Sequence, residues 1–245
     1  IRGDRIEGPM LKEGFQSFVG MHEVPVRYGL TAGEYANYIN KEGLLENGVK
    51  AKLQIFPVKH WTRDQWYDET DLPWTAPSPN MPTLKTAIVY PGMCFIEGTN
   101  LSEGRGTKSP FLLFGAPWLD NKKLSGQLKE KEIAGVEFVC EDFTPVEIKG
   151  MAYNPKHENE LCHGLRLNIT DRDQYNPVKT TATLLQLIAG QHPEEFKWRE
   201  SSIDRLSGSS ELRIHIDNRE VEKLFGKWET ANAQFNEKIQ KYFLY

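Results

Sequence analysis

The sequence predicts an α/β chain that becomes α+β in its C-terminal part and closes on a long helix. Three observations carry this reading. An unbroken apolar run over residues 87–96 reads as a buried central strand. Thr31-Ala32-Gly33-Glu34 has capping-box spacing, with the extended piece Val24-Pro25-Val26-Arg27 before it and the alternating stretch 51–58 after it. That strand–helix–strand order fits the last unit of an α/β domain joined to a new one. Residues 219–242 set Val221, Leu224, Phe225, Trp228 and Phe235 on one amphipathic helix, and its Lys-rich end suits the helix dipole.

In chain order, residues 1–9 read as a polar turn ending Glu7-Gly8-Pro9. A helix is expected over 32–42 and a strand over 51–58. Residues 61–82, rich in Pro, Trp and Asp, read as a long irregular segment that Trp61, Trp66 and Trp74 keep ordered. Pro77-Ser78-Pro79-Asn80-Met81-Pro82 is a stiff loop, either a binding element or a rigid connector. Residues 121–132 read as an exposed helix and turn, 136–139 and 146–148 as strands. A further strand, 161–169, puts Arg166 and Asn168 on one face. A packed helix over 177–189 carries Leu184, Leu185 and Ile188, with Gly190 as its C-cap. Residues 201–217 read as helix, although 213–217 also alternate like a strand. No internal repeat or low-complexity tract is present.

Composition narrows the function. The 245 residues allow one large domain or two small ones. Hydrophobic content of 39% and charged content of 26% are ordinary for a globular protein. A net charge of −4 argues against a general nucleic-acid binder. No apolar run approaches the roughly 18 residues of a membrane span. The chain opens on Ile1-Arg2-Gly3 without an initiator Met or a signal peptide, the look of a mature or truncated piece. Cys94, Cys140 and Cys162 sit in apolar surroundings and read as buried free thiols. No metal-ligand spacing occurs, so neither a metal nor a cofactor is expected. The six histidines are scattered, with only His60 and His163 open to a role.

The densest chemistry lies after the apolar run. Glu97 ends it, and a loop punctuated by Gly98, Gly104 and Gly106 carries Asn100, Ser102, Arg105 and Thr107. Glycines let backbone approach a ligand, and loop polar groups on a rigid scaffold form binding sites. The same features also describe a long turn in which Glu and Arg pair with each other.

This stretch, Tyr90-Pro91-Gly92-Met93-Cys94-Phe95-Ile96-Glu97-Gly98-Thr99-Asn100-Leu101-Ser102-Glu103-Gly104-Arg105-Gly106-Thr107, with Pro110-Phe111 and Gly115-Ala116-Pro117-Trp118, resembles the NamZ family of exo-β-N-acetylmuramidases. The resemblance runs along nearly the whole chain. It takes in Ile6-Glu7-Gly8-Pro9, Pro77-Ser78-Pro79-Asn80-Met81-Pro82, Cys162-His163-Gly164-Leu165-Arg166 and the closing Lys241-Tyr242-Phe243-Leu244-Tyr245. It implies that residues 1–50 are the end of a Rossmann-like catalytic domain. Residues 51–245 would then form a smaller mixed α/β domain. The family's Gly-Pro-Glu-His-Gly motif, which carries a functional carboxylate, has no match here.

Glycoside cleavage needs two carboxyl groups. By the resemblance Glu7 ranks first and Glu97 second, Glu97 being able instead to orient Arg105 or to bind substrate. Muramic acid carries a lactyl carboxylate, and a planar guanidinium binds a carboxylate bidentately. Arg105 is the expected anchor, with an ion pair to Glu97 or Glu103 as its alternative, and Arg166 is a weaker one. Asn80, Asn100, Ser102, Thr107 and Trp118 complete the expected substrate-binding set. Asn100, Ser102 and Thr107 could equally satisfy the turn's own amides. The implied function is release of N-acetylmuramic acid from non-reducing ends of cell-wall fragments, by a secreted or periplasmic protein. The other reading is a module that holds muramic-acid sugars or peptidoglycan without cleaving them. An esterase or β-lactamase-like enzyme finds no Gly-x-Ser-x-Gly or Ser-x-x-Lys motif.

Overall fold

The computed structural model describes residues 2–245. Ile1, the first residue of the expected N-terminal turn, lies outside them. The fold is α/β in the sense expected, helices packed with small sheets, and both sheets are antiparallel.

The chain begins with a ribbon. Strand β1 (Ile6–Met10) pairs with β2 (Pro25–Tyr28), and Ile6 faces Tyr28 while Glu7 faces Arg27. The expected turn over 1–9 is therefore a strand from Ile6 on. Its middle residues bury against later helices, a force that local turn chemistry does not reveal. Helix α1 (Ala32–Lys41) starts on the expected capping box: Glu34 N donates to Thr31 Oγ1 at 3.4 Å, and Thr31 N to Glu34 Oε2 at 2.8 Å.

Residues 51–58 form no strand. Leu53, Phe56 and Val58 stand exposed, and no strand of the described residues pairs with the stretch. Alternation shows which backbone could join a sheet, and the sheet itself needs a partner. The strand–helix–strand unit is thus a strand, a helix and an extended segment. Residues 61–82 are irregular as expected, save a 3-10 turn, Tyr67–Glu69.

The largest difference falls on residues 87–96, which are not a strand. They belong to helix α2 (Leu84–Met93) and a following 3-10 turn, Cys94–Gly98. Thr86, Ala87, Ile88, Val89, Gly92 and Met93 are all buried. A helix apolar on every side loses its period and resembles a buried strand in sequence. Thr83 caps it, accepting from Thr86 N at 3.2 Å.

The second sheet, in the order β3-β5-β4, is built from β3 (Leu113–Ala116), β4 (Val136–Cys140) and β5 (His163–Ile169). The expected strand over 146–148 is reduced to an isolated bridge, Ile148 with Ala152. Helix α3 (Asn121–Glu130) links β3 to β4. Helix α4 (Pro177–Gln191) runs through Gly190 and is capped at His192, so Gly190 is not the C-cap. Residues 201–217 are helical, but Gly208, at φ +78°, divides them into α5 (Glu200–Ser207) and α6 (Glu211–Asp217). Helix α7 (Glu222–Ile239) ends in a 3-10 turn, Gln240–Tyr242.

The main core gathers Val89, Phe95, Phe114, Leu165, Leu184 and Ile203 between α2, the sheet and α4–α6. A second core of Tyr38, Phe235, Ile239 and Tyr242 fastens α1 to the end of α7. Of the cysteines, Cys94 and Cys162 are buried free thiols, and Cys140, on an outer strand, is exposed. No helix of the described residues is long and apolar enough to cross a membrane.

Candidate active site

The β1–β2 ribbon sets Glu7 directly across from Arg27. Glu7 is only 7% exposed. Arg27 Nη1 donates to Glu7 Oε1 at 3.2 Å, while Glu7 Oε2 and Arg27 Nη2 are buried without a partner. The buried hydroxyl of Tyr175, just before α4, has no partner either. Each such group costs about 1–3 kcal/mol unless water or a ligand meets it, so their gathering in one place needs an explanation.

Two cavities flank the pair. One, of about 400 Å³, is lined by Glu7, Arg5, Asn176, Lys179, Trp228 and Asn232, between β1, the start of α4 and α7. Asn232 Oδ1 there is also buried and unpartnered. The other, of about 360 Å³, holds Arg27, Tyr175, Trp61, Trp66, Arg2 and Arg172. Burial raises the Glu7 pKa above the ordinary carboxyl range, with Arg27 and then Arg5 and Lys179 opposing. Burial likewise lowers the pKa of Arg27, against the pull of Glu7. A buried carboxyl that favours its proton can act as a general acid.

The glycine-rich loop is arranged differently. Arg105 Nη2 donates to Glu97 Oε1 at 2.6 Å, and its Nε lies 3.3 Å from Glu103 Oε1. Its guanidinium stands 5.2 Å from the Phe111 ring. Lys156 Nζ lies 3.0 Å from Glu103 Oε2, an ion pair whose angle falls outside hydrogen-bond geometry. It donates to the carbonyls of Ile96 at 3.0 Å and Leu101 at 2.9 Å. Burial, partly offset by Glu103, lowers the Lys156 pKa. Glu97 does not line the cavity that holds Glu7.

The remaining expected residues serve their own surroundings. Asn100 accepts from Lys197 N at 2.9 Å and donates to Glu195 O at 2.8 Å. Ser102 Oγ accepts from Gly104 N at 3.2 Å, and Thr107 Oγ1 donates to Gly104 O at 2.7 Å. Asn80 Nδ2 donates to Met151 O at 2.7 Å, leaving its buried Oδ1 unpartnered. Trp118 packs on His192, ring centroids 5.2 Å apart. Arg166 grips Glu141 with two bonds of 2.5 Å and donates to Ser109. His163 Nδ1 is 3.1 Å from Asp142 Oδ2, and no group of three or more metal-ligating side chains occurs among the described residues.

The structure thus brings Glu7 together with Arg27, Tyr175, Lys179 and Asn232, none of which the sequence singled out. Only register could have pointed to Arg27: it sits on the face of an extended piece opposite a motif residue. The other three come from 168 or more positions later in the chain.

Sequence models of the exo-beta-N-acetylmuramidase NamZ match the chain in two parts, the N-terminal one residues 1–85 and the C-terminal one residues 88–245. Peptidoglycan beta-N-acetylmuramidase NamZ of Bacillus subtilis (strain 168) is 40% identical over 245 residues, 99% of this chain and 56% of that protein. The chain therefore spans about half the length of this curated relative. Crystal structures of two DUF1343 family proteins from Bacteroides fragilis NCTC 9343 are each 28% identical, with TM-scores of 0.90 and 0.78. They cover 100% and 99% of this chain, which spans 63% of each.

Proposed function

The chain belongs to the exo-β-N-acetylmuramidase NamZ family, and on that premise we propose that it works on peptidoglycan-derived sugars as part of a glycosidase that releases N-acetylmuramic acid from non-reducing ends. On the same footing it works where cell-wall fragments are found, as a secreted or periplasmic protein. The observation that carries the chemistry is Glu7, buried beside the cavity of about 400 Å³, with its pKa raised by burial and one oxygen buried without a partner. Glu7 would hold a proton for the leaving glycosidic oxygen, the acid half of a two-carboxylate mechanism. Arg27 holds its Oε1 and leaves Oε2 available.

The second carboxylate is harder to assign within this chain. Glu97 is held by Arg105 and does not share the Glu7 cavity. That observation favours a second reading for the chain taken alone: it holds the sugar, and the base or nucleophile belongs to the part of the longer relatives that it does not match.

The deciding assay is release of free N-acetylmuramic acid from a disaccharide bearing it at the non-reducing end, beside binding of the same sugar. Release that Glu7→Gln abolishes, with affinity kept within a few-fold, supports the hydrolase. Binding without release supports the holding module. Release that survives Glu7→Gln removes Glu7 from the mechanism.

A further inference from the structure

Three guanidinium groups line the cavity of about 360 Å³ beside Glu7. Two of them are already matched by acids. Arg2 is paired with Asp4 and Asp173. Arg172 donates to Asp68 at 2.7 Å and to Glu69 at 2.8 Å, and its guanidinium lies over Trp66. Arg27 is different, because Glu7 takes only its Nη1 and its Nη2 is buried without an acceptor. Tyr175 lines the same cavity, and its buried hydroxyl likewise has no partner, on a residue only 4% exposed.

A guanidinium nitrogen can only donate, and a phenol donates readily to an anion. Two orphaned donors in one largely apolar cavity call for an acceptor, and a charged one is held most strongly away from water. Trp61 and Tyr28 line the same cavity, and aromatic faces suit a sugar ring. A single carboxylate matches one spare guanidinium nitrogen and one hydroxyl.

We propose that this cavity is a carboxylate subsite, in which Arg27 Nη2 and the Tyr175 hydroxyl hold the lactyl carboxylate of a muramic-acid sugar and seat its ring on the Arg27 side of the Glu7–Arg27 pair. The inference rests on the muramic-acid reading above and names the residues that would enforce it. It moves the anchor from Arg105, whose Nη2 and Nε face Glu97 and Glu103, to an arginine with a buried nitrogen that meets no acceptor.

Tyr175→Phe is the cleanest probe, because the hydroxyl it removes has no partner within the protein. The variant should melt at or above the temperature of the parent. Affinity for N-acetylmuramic acid should fall by on the order of tenfold, the loss of one charge-assisted hydrogen bond, while affinity for N-acetylglucosamine stays as it was. Arg27→Gln should lose the same preference, and with either variant D-lactate should no longer raise the melting temperature as it does for the parent. The subsite is overturned if both variants keep the parent's preference for N-acetylmuramic acid, or if neither lactate nor that sugar stabilises the parent. Lactate protection that both variants abolish, in a chain that does not cleave the sugar, would sustain the subsite and favour the holding module.

Discussion

Glu7 and Arg27 meet through one contact of 3.2 Å and leave an oxygen and a nitrogen buried without partners. Arg105 is gripped by Glu97 at 2.6 Å and Glu103 at 3.3 Å, with Lys156 closing the group from the other side. Both are glutamate–arginine clusters in motifs shared with the same family. The first leaves an oxygen and a nitrogen of its own pair unmet, while the second holds Arg105 between two acids and leaves only Glu103 Oε2 without a hydrogen bond, 3.0 Å from Lys156 Nζ. The glycines of the second loop answer to that difference. Gly104 and Gly106 sit at φ +77° and +80°, and a Cβ on them would come within 2.3 Å of Leu113 O and 2.6 Å of Val146 O. They let backbone approach backbone, so the loop is a buttress. The larger reserve of unmet hydrogen bonds, rather than a density of glycines and charges, is what singles out the first cluster as the candidate site.

The sharpest way to break this contrast is to remove a member of the Arg105 cluster. Glu103→Ala strips Lys156 and Arg105 of a buried counter-ion, and breaking such a pair costs about 3–5 kcal/mol. Urea denaturation should show a loss of that size, and a loss under about 1 kcal/mol would mean the cluster is solvated in practice. Gly104→Ala comes next, at about 2 kcal/mol or more, since it combines a left-handed backbone with a clash against a carbonyl. An Ala variant of unchanged stability would return the loop to the status of a ligand cradle.

The Glu7 side yields smaller effects on stability and a distinct dependence on pH. Burial raises its pKa in the folded state. The folded protein therefore holds that proton more tightly than the unfolded chain does. The stability this contributes is present at low pH and is lost as pH climbs through the folded pKa, above the ordinary value of about 4.3. Glu7→Gln cannot ionise, so its stability relative to the parent should improve as pH rises. Parallel profiles for the two proteins would show that Glu7 ionises freely.

The smallest effect belongs to a third acid, on the surface. Hydrogen bonds from Tyr242 and Lys241 hold the Glu42 pKa down to about 2. Its contribution is present above the ordinary carboxyl range and fades as pH falls toward 2, and solvent screening keeps it slight. Carbon-detected NMR titration of Glu42 should show the depressed value, and a midpoint near 4 would remove this tie between α1 and the final turn.

What could be seen in the sequence follows the range of the forces. The start of α1 was legible because Thr31 and Glu34 settle it within four residues. Strand β5 and helix α7 were legible because one face of each is buried and the other wet. Helix α2 was not, since burial on all sides erases its period, although the Thr83 cap marks its beginning. Residues 51–58 carried a strand pattern that no neighbour completes. At the site, Glu7 was legible through its motif. Tyr175 and Asn232 were not, because their meaning lies in hydrogen bonds they do not make.

Glu34 gives the molecule a constraint of another kind. Its carboxylate, fully buried, accepts from Thr31 N, from Arg63, and from Leu244 N at 2.7 Å. Arg63 in turn holds the carbonyls of Gly3 at 2.9 Å and Gly29 at 2.7 Å and lies over Phe243. Leu244 follows Glu34 by 210 residues. At about 5–20 residues per second on the ribosome, roughly 10–40 s separate the making of the two. Throughout that interval the Glu34 cluster lacks one of its donors, and the ribbon bearing Glu7 and Arg27 lacks helix α7, which packs on β1. A nascent chain halted before Leu244 would therefore leave a carboxylate meant for the interior short of one of its hydrogen-bond donors.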